Sequence, residues 1–165
     1  MEEKVYVSFM KSNHQKIIDL LPYQTPFLFV DTLISVSENG IVGEYIFKEN
    51  EFFYEGHFKE NPVTPGVILT ECMAQIGLVC LGIYLFFQNT NQKGSESNTY
   101  NPKIALSSTD IHFFKPVFPG ERVRVISEKE YFRFNKLKCK VHMVNEKEEI
   151  VCRGTISGML ITKQL

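Results

Sequence analysis

Residues 65–87 read PGVILTECMAQIGLVCLGIYLFF, and this run decides the fold. As a helix from Val67 to Phe87 it would reach ~30 Å, enough to cross a bilayer. Glu71 sits inside it, Gln75 adds a second strongly polar group, and no basic cluster adjoins its N-terminal end. A carboxylate at membrane depth is costly, and an anchored span usually carries flanking cations. The expectation is therefore no membrane span but a helix wrapped on most sides in a soluble fold. Thr64 is placed as the N-cap and Pro65 at the first helical position. Gly77 and Gly82 lie on the same helix. Each costs up to ~1 kcal/mol relative to alanine, so close packing is the expected reason for them.

Outward from the helix the pattern changes to strands. Upstream, QKIIDLL (residues 15–21) reads as a short amphipathic helix stopped by Pro22. PFLFVDTLISVSE (26–38) reads as a strand, with a turn at Asn39-Gly40. IVGEYIFKE (41–49) alternates, with Ile41, Gly43, Tyr45 and Phe47 on one side. Residues 50–66 carry two glycines and two prolines and are irregular. Downstream, QNTNQKGSESNTYNP (88–102) is a polar loop. Four strands follow: IALSSTDIHFFKPV, ERVRVISEKEYFRF, LKCKVHMV and EIVCRGTISGMLI. In the third, Leu137, Cys139, Val141 and Met143 alternate with polar neighbours. One helix apolar all round, with strands before and after it, implies an α+β fold in which a curved antiparallel sheet wraps a central helix. A second protomer is the natural cover for the remaining side of that helix, so at least a dimer is expected.

Size and charge agree with one such unit. The chain has 165 residues, read as a single domain over 1–165. Its 18 Lys and Arg against 19 Asp and Glu give a formal charge of −1. No global field draws it to nucleic acid or an anionic membrane. The four cysteines, Cys72, Cys80, Cys139 and Cys152, form no C-x-x-C pair and read as small buried hydrophobes. The N-terminal MEEKVYVSFMKSN carries no secretory pattern, and a cytoplasmic protein with reduced thiols is expected.

Three residues stand out chemically. Glu71 is the only Asp, Glu, Lys, Arg or His between Glu60 and Lys93. A carboxyl in such apolar surroundings must be paired, protonated or open to a cavity. His57 lies in the irregular Gly-His-Phe segment just ahead of the helix. An imidazole and a tunable carboxyl are the pair that general acid–base chemistry needs. Gly66 stands at the helix start, where backbone N–H groups lack helical partners and a ligand can approach closely. Such a terminus can polarise a carbonyl and stabilise an enolate.

The segment EGHFKENPVTPGVILTECMAQ resembles the signature of the FabZ family, the (3R)-3-hydroxyacyl-[acyl-carrier-protein] dehydratases. The match falls on Gly56, His57, Phe58, Pro62, Pro65, Gly66, Val67, Glu71, Ala74 and Gln75, with the family's fourteen-residue spacing from histidine to glutamate. DLLPYQTPFLFVD and FFKPVFPGERV resemble two further family blocks, so the likeness runs from about residue 15 to near the C-terminus. It implies a hot-dog fold, a homodimer (commonly a trimer of dimers), and an active site at the dimer interface. His57 from one protomer and Glu71 from the other would be catalytic, and the Gly66 N–H would polarise the thioester carbonyl. Phe58 and Val67 would border the substrate tunnel, Tyr100 is a candidate gate, and the His57-Phe58 peptide is expected cis. No metal or organic cofactor is implied.

The implied partner is acyl carrier protein bearing a 3-hydroxyacyl chain. Lys115, Arg122, Arg124, Arg133, Lys136 and Lys138 are candidates for docking this acidic bundle. Departures from the pattern at Tyr23, Gln24, Lys59, Glu60, Thr64 and Cys72 remove no catalytic group, but leave chain length and pathway open. A dehydratase serving a specialised polyene or polyketide-like product keeps the same chemistry. A FabA-like isomerase would usually carry aspartate at position 71. A hot-dog thioesterase would use a different acidic residue. A non-catalytic carrier-binding subunit would have no chemical need for His57, Gly66 and Glu71 together.

Overall fold

In the computed structural model, residues 13–92 and 102–161 are described. A short helix α1 (13–19) leads into strand β1 (Thr32–Ser37) and strand β2 (Gly40–Ile46). A 3-10 turn at Phe52–Glu55 and an irregular segment precede the central helix α2. Strands β3 (Lys103–Phe113), β4 (Arg122–Arg133), β5 (Lys136–Asn145) and β6 (Ile150–Ile161) complete the described chain. All pair antiparallel in one six-stranded sheet of order β1-β2-β4-β5-β6-β3. The last four strands are therefore not a simple meander. β4 returns to β2, and β3 crosses to the far edge beside β6.

The α2 helix is α-helical over Gly66–Ala74, π-helical over Gln75–Cys80 and α-helical again over Leu81–Gln92. It runs about five residues beyond the expected end at Phe87, because no Gly or Pro stops it before Gly94. Pro65, not Thr64, is the N-cap residue, and no side chain caps this end. The Thr64 hydroxyl instead meets the Tyr54 hydroxyl at 2.6 Å. The stretch Gly66–Asn89 is long and apolar enough to cross a membrane, yet 78% of its most apolar window is buried inside the fold.

Every residue from Cys72 to Ile83 is buried by the chain itself. The chain itself covers this middle stretch, while Val67 near the helix start stays 76% exposed, so any cover from a second protomer falls at that end. The inward rows of β2 (Ile41, Gly43, Tyr45, continued by Phe47 just past its end) and β5 (Leu137, Cys139, Val141, Met143) are buried as their alternation predicts. At Gly77 the helix lies close against two strands at once. An added Cβ there would lie 3.0 Å from Ser127 Cβ on β4 and 3.1 Å from Val141 Cγ1 on β5. Ser127 Oγ also donates to Gly77 O at 2.8 Å, satisfying a carbonyl inside the π-helical stretch.

The expected strand over 26–38 begins only at Thr32. The reason lies in the helix. Phe29 N–H donates to Gln75 Oε1 at 2.8 Å, and Phe27 O accepts from Gln75 Nε2 at 2.9 Å. Backbone groups that a ladder would use are held by a helix side chain instead. The α1 helix is pinned from the other direction, by His14 Nδ1 against Leu33 O at 2.9 Å.

What the sheet leaves uncovered is an edge. Strand β3 is exposed at most of its positions, and nothing among the described residues pairs with its outer side. Leu106, Phe113 and Phe114 are exposed on or beside it. An uncovered edge of this length invites pairing with another chain.

Candidate active site

His57 is carried by a loop that leaves the 3-10 turn and returns to the start of α2. Its base is closed by Thr64 N–H donating to Val117 O at 2.8 Å and by the buried Tyr54–Thr64 hydroxyl pair. Within it, His57 N–H donates to Phe53 O, and Val63 N–H donates to His57 O, both at 3.0 Å. The imidazole Nδ1 lies 2.8 Å from Val63 O. A carbonyl can only accept, so Nδ1 carries a hydrogen, and in the neutral ring the lone pair is the one on Nε2. The Phe58 ring stacks on the imidazole at 4.0 Å, and the peptide joining them is cis, as expected. Thr25-Pro26 is also cis.

Gly66 begins α2. The helical ladder opens with Ile68 and Leu69 N–H donating to Pro65 O, so the amides of Gly66 and Val67 precede it. A Cβ on Gly66 would sit 3.2 Å from the Phe113 ring, and Thr64, Gly66, Leu69, Phe113, Phe114, Lys115 and Pro116 line an open depression of ≈ 380 Å³. Val67 beside it is 76% exposed, and Phe58 is 58% exposed. Neither His57 nor Glu71 lines this depression.

Glu71 lies further along the helix, half-buried. Its Oε1 accepts from Gln75 Nε2 at 2.9 Å. Tyr23 is close to it. Burial, with the Glu71 carboxylate charge second, pushes the Tyr23 hydroxyl up to about 12. Tyr23 therefore stays protonated at neutral pH. Gln75 belongs to the quoted motif, but its part in holding Glu71 is a structural finding. The i, i+4 spacing on a helix was the signal that could have shown it.

The basic candidates do not form one patch. Lys115 pairs with Glu149 at 2.7 Å, and Lys138 with Glu130 at 2.9 Å. Arg122 and Arg124 both meet Glu44, at 3.3 and 3.1 Å, and Arg124 also meets Glu148 at 2.8 Å. Arg133 stacks over Tyr131 at the opposite end of β4, beside Lys136. That strand separates Arg122 from Arg133 by about 36 Å at the usual strand rise. Tyr100 lies outside the described residues. No group of three or more His, Cys, Asp or Glu among the described residues could hold a metal ion.

The FabA-like domain family matches residues 21–156. A curated 3-hydroxyacyl-[acyl-carrier-protein] dehydratase FabZ of Sinorhizobium medicae is 32% identical over 154 residues, covering 91% of this chain and 90% of the relative. The chain belongs to the FabZ-like 3-hydroxyacyl-[acyl-carrier-protein] dehydratase family. The FabZ of Acinetobacter baylyi is 31% identical, over 93% of this chain and 90% of its own. Solved structures agree on the fold. A chain of the dehydratase heterocomplex ApeI:P from Xenorhabdus doucetiae superposes with a TM-score of 0.67 at 13% identity, over 88% of this chain and 91% of that one. A hypothetical thioesterase protein with coenzyme A from Streptococcus pneumoniae gives 0.55 at 12% identity, over 81% and 87%. These likenesses establish the hot-dog fold, a sheet of six antiparallel strands around one long helix. Dehydratases and thioesterases share it, so chemistry must be argued from the site.

Proposed function

We propose that His57 and Glu71, from different protomers of a dimer, form the acid–base pair of this FabZ-like dehydratase, with the Gly66 amide as its carbonyl-binding group. The enzyme dehydrates 3-hydroxyacyl-[acyl-carrier-protein] to the enoyl thioester in fatty-acid synthesis. The observation that carries the residue assignment is the His57 tautomer. With Nδ1–H given to Val63 O, the Nε2 lone pair is the one available as a base.

The thioester carbonyl accepts from the Gly66 N–H at the positive end of α2, which makes the C2 proton more acidic. His57 Nε2 removes that proton. The electron pair left on C2 becomes the C2–C3 double bond as the C3–O bond breaks. The departing hydroxyl takes a proton from Glu71 and leaves as water. The proton on His57 then returns, through solvent, to Glu71. No electron leaves or enters the system. Phe58 and Val67, exposed in a single chain, would border the acyl chain once a second chain covers them.

On this reading the second protomer docks on the uncovered β3 edge. That edge ends at Phe113, whose ring lies against Gly66, so pairing there would bring another chain's residues to the helix start. Within one chain, the depression at Gly66 includes neither catalytic side chain. Acyl carrier protein is the partner, and the cytoplasm the location, that this reading implies. Residues 1–165 act as one catalytic domain. The polyene-like alternative uses the same site.

The test follows loss of the conjugated enoyl absorbance when purified protein meets trans-2-butenoyl-acyl carrier protein. Wild type should hydrate it, while folded His57→Ala and Glu71→Gln proteins should lose at least a hundredfold in rate. A silent wild type, tried also on longer chains, with release of free thiol, would replace this reading with a thioesterase.

A further inference from the structure

The outer face of the sheet, turned away from α2, carries a cluster of charged side chains that the reaction does not use. His112 on β3 lies directly opposite Arg153 on β6, and Arg153 lies directly opposite His142 on β5. Residues opposite one another on neighbouring strands share a face, so the three side chains form one row across three strands. On β4 the row ends at Ile126 and meets no carboxylate. With Glu128, Lys140 and Ile150, the three line an open depression of ≈ 510 Å³.

The next row on this face runs Asp110, Thr155, Lys140, Glu128. Asp110 lies 3.4 Å from His112 Nε2, and Lys140 also lies 3.7 Å from Glu130. Arg153 and His142 have no ion pair among the described residues. The Arg153 guanidinium lies 5.3 Å from the centre of the Phe114 ring, which holds it in place without neutralising it. Like charges directly opposite one another destabilise a sheet. An arginine between two histidines is therefore costly when the imidazoles are protonated, unless an anion joins the row.

We propose that this row is a binding site for the diphosphate group of an organic ligand. The spacing selects the group. Neighbouring strands lie about 4.8 Å apart, so the row extends over about 10 Å. One phosphate reaches Arg153 and a single histidine, whereas two linked phosphates reach all three side chains. Ile150, exposed at the rim, gives the organic part an apolar support. Charge sets the condition for binding. The groups facing the site are Asp110 and His112 on β3, Glu128 on β4, Lys140 and His142 on β5, and Arg153 on β6. With both imidazoles neutral, Arg153 and Lys140 are balanced by Asp110 and Glu128. With both protonated, the cluster gains two positive charges. Histidine changes charge between about pH 5 and 8, so binding strengthens as pH falls through that range. A second chain pairing along the β3 edge lies in the plane of the sheet and leaves this face open.

Calorimetric titration of the full-length protein with pyrophosphate, inorganic phosphate and ADP, at pH 6 and pH 8 and constant ionic strength, tests the site. Pyrophosphate loses charge as pH falls, so a gain at pH 6 comes from the protein. Pyrophosphate should bind at least about tenfold more tightly at pH 6 than at pH 8, and at least about tenfold more tightly than phosphate, with ADP matching or exceeding it. Arg153→Ala and His142→Gln should each weaken it at least about fivefold at pH 6, while Tm and the hydration rate of His142→Gln stay near wild type. Lys138→Ala, on the same face but paired with Glu130, should change it less than about twofold. No binding at pH 6, equal affinity at both pH values, or equal affinity for phosphate and pyrophosphate would overturn the site. So would a loss in Lys138→Ala equal to that in Arg153→Ala, which reduces the row to general attraction by a cationic face. ADP binding more than about tenfold below pyrophosphate would overturn the organic ligand. The readout is binding, so it is independent of the dehydratase reaction.

Discussion

Replacing Gly77 by alanine puts one methyl group between helix and sheet. Its Cβ would lie 3.0 Å from Ser127 Cβ and 3.1 Å from Val141 Cγ1, against about 3.5–4.0 Å for relaxed carbon contacts. The overlap is about half an ångström on two strands at once. Neither neighbour can step aside. Ser127 is held by its own bond to Gly77 O, and Val141 is β-branched and fully surrounded. Overpacking of this kind costs about 1–3 kcal/mol, and the better helix propensity of alanine returns up to ~1 kcal/mol. The net expectation is a loss of about 1–2 kcal/mol, or ~2–8 °C in Tm for a chain of this size.

Gly82 supplies the internal control. There the added Cβ meets a single side chain of the edge strand β3, Ile104, at 2.7 Å from Cδ1 and 3.0 Å from Cγ1, whereas at Gly77 it is caught between side chains of two central strands. Gly82→Ala should therefore cost less than Gly77→Ala. Urea unfolding of both variants, with Gly77→Ala/Val141→Ala as a relief pair, measures the difference. A Gly77→Ala protein as stable as wild type, or a more damaging Gly82→Ala, would refute the claim that the helix crosses the sheet at contact distance at Gly77.

Other outcomes are equally definite. Tyr45→Phe removes the donor to the buried Glu51 carboxylate and should cost about 1.5–3 kcal/mol in chemical denaturation. Burial pushes the Cys139 thiol up to about 11 and the Cys152 thiol up to about 12, from 9.0. Their folded values lie above the unfolded one, so their contribution is complete below pH 9 and is lost as pH rises through 11 and 12. Tm should fall across that window, and a thiol reagent at pH 8 should leave the native protein unlabelled. Arg122→Ala and Arg124→Ala should change KM for acyl carrier protein less than about twofold, because both guanidiniums are already paired with Glu44. Leu106→Glu with Ser108→Glu places like charges on the β3 edge and should convert the dimer to monomer in light scattering, with loss of activity.

The helix and most of the strands were readable from pattern alone, and pattern singled out His57, Gly66 and Glu71 as candidates. An unbroken apolar run with one carboxylate marked α2, and period-two alternation marked β2 and β5 with the correct inward rows. Topology was not readable. Nothing local in IALSSTDIHFF says that it will pair with the last strand and not the next one, because that choice is made by long-range packing. The start of β1 was misplaced for a similar reason. The ladder partners of Phe27 and Phe29 were taken by Gln75, 46 residues away from Phe29. In the sequence Gln75 is a polar residue in the apolar run and a motif match, and only its three partners in space reveal what it holds. The basic side chains looked available because their carboxylate partners lie on other strands, as Glu44 does for Arg122 and Arg124.

The central claim is that one active site takes His57 from one protomer and Glu71 from the other. Mixing inactive His57→Ala and Glu71→Gln chains under conditions that exchange subunits tests it directly. Random pairing makes about half the dimers mixed, and each mixed dimer holds one intact site of two, so activity should recover to about a quarter of wild type. Recovery at that level, absent from either variant alone, is the predicted result. No recovery from a mixture shown to contain heterodimers would contradict the claim and place both residues in a site within a single chain.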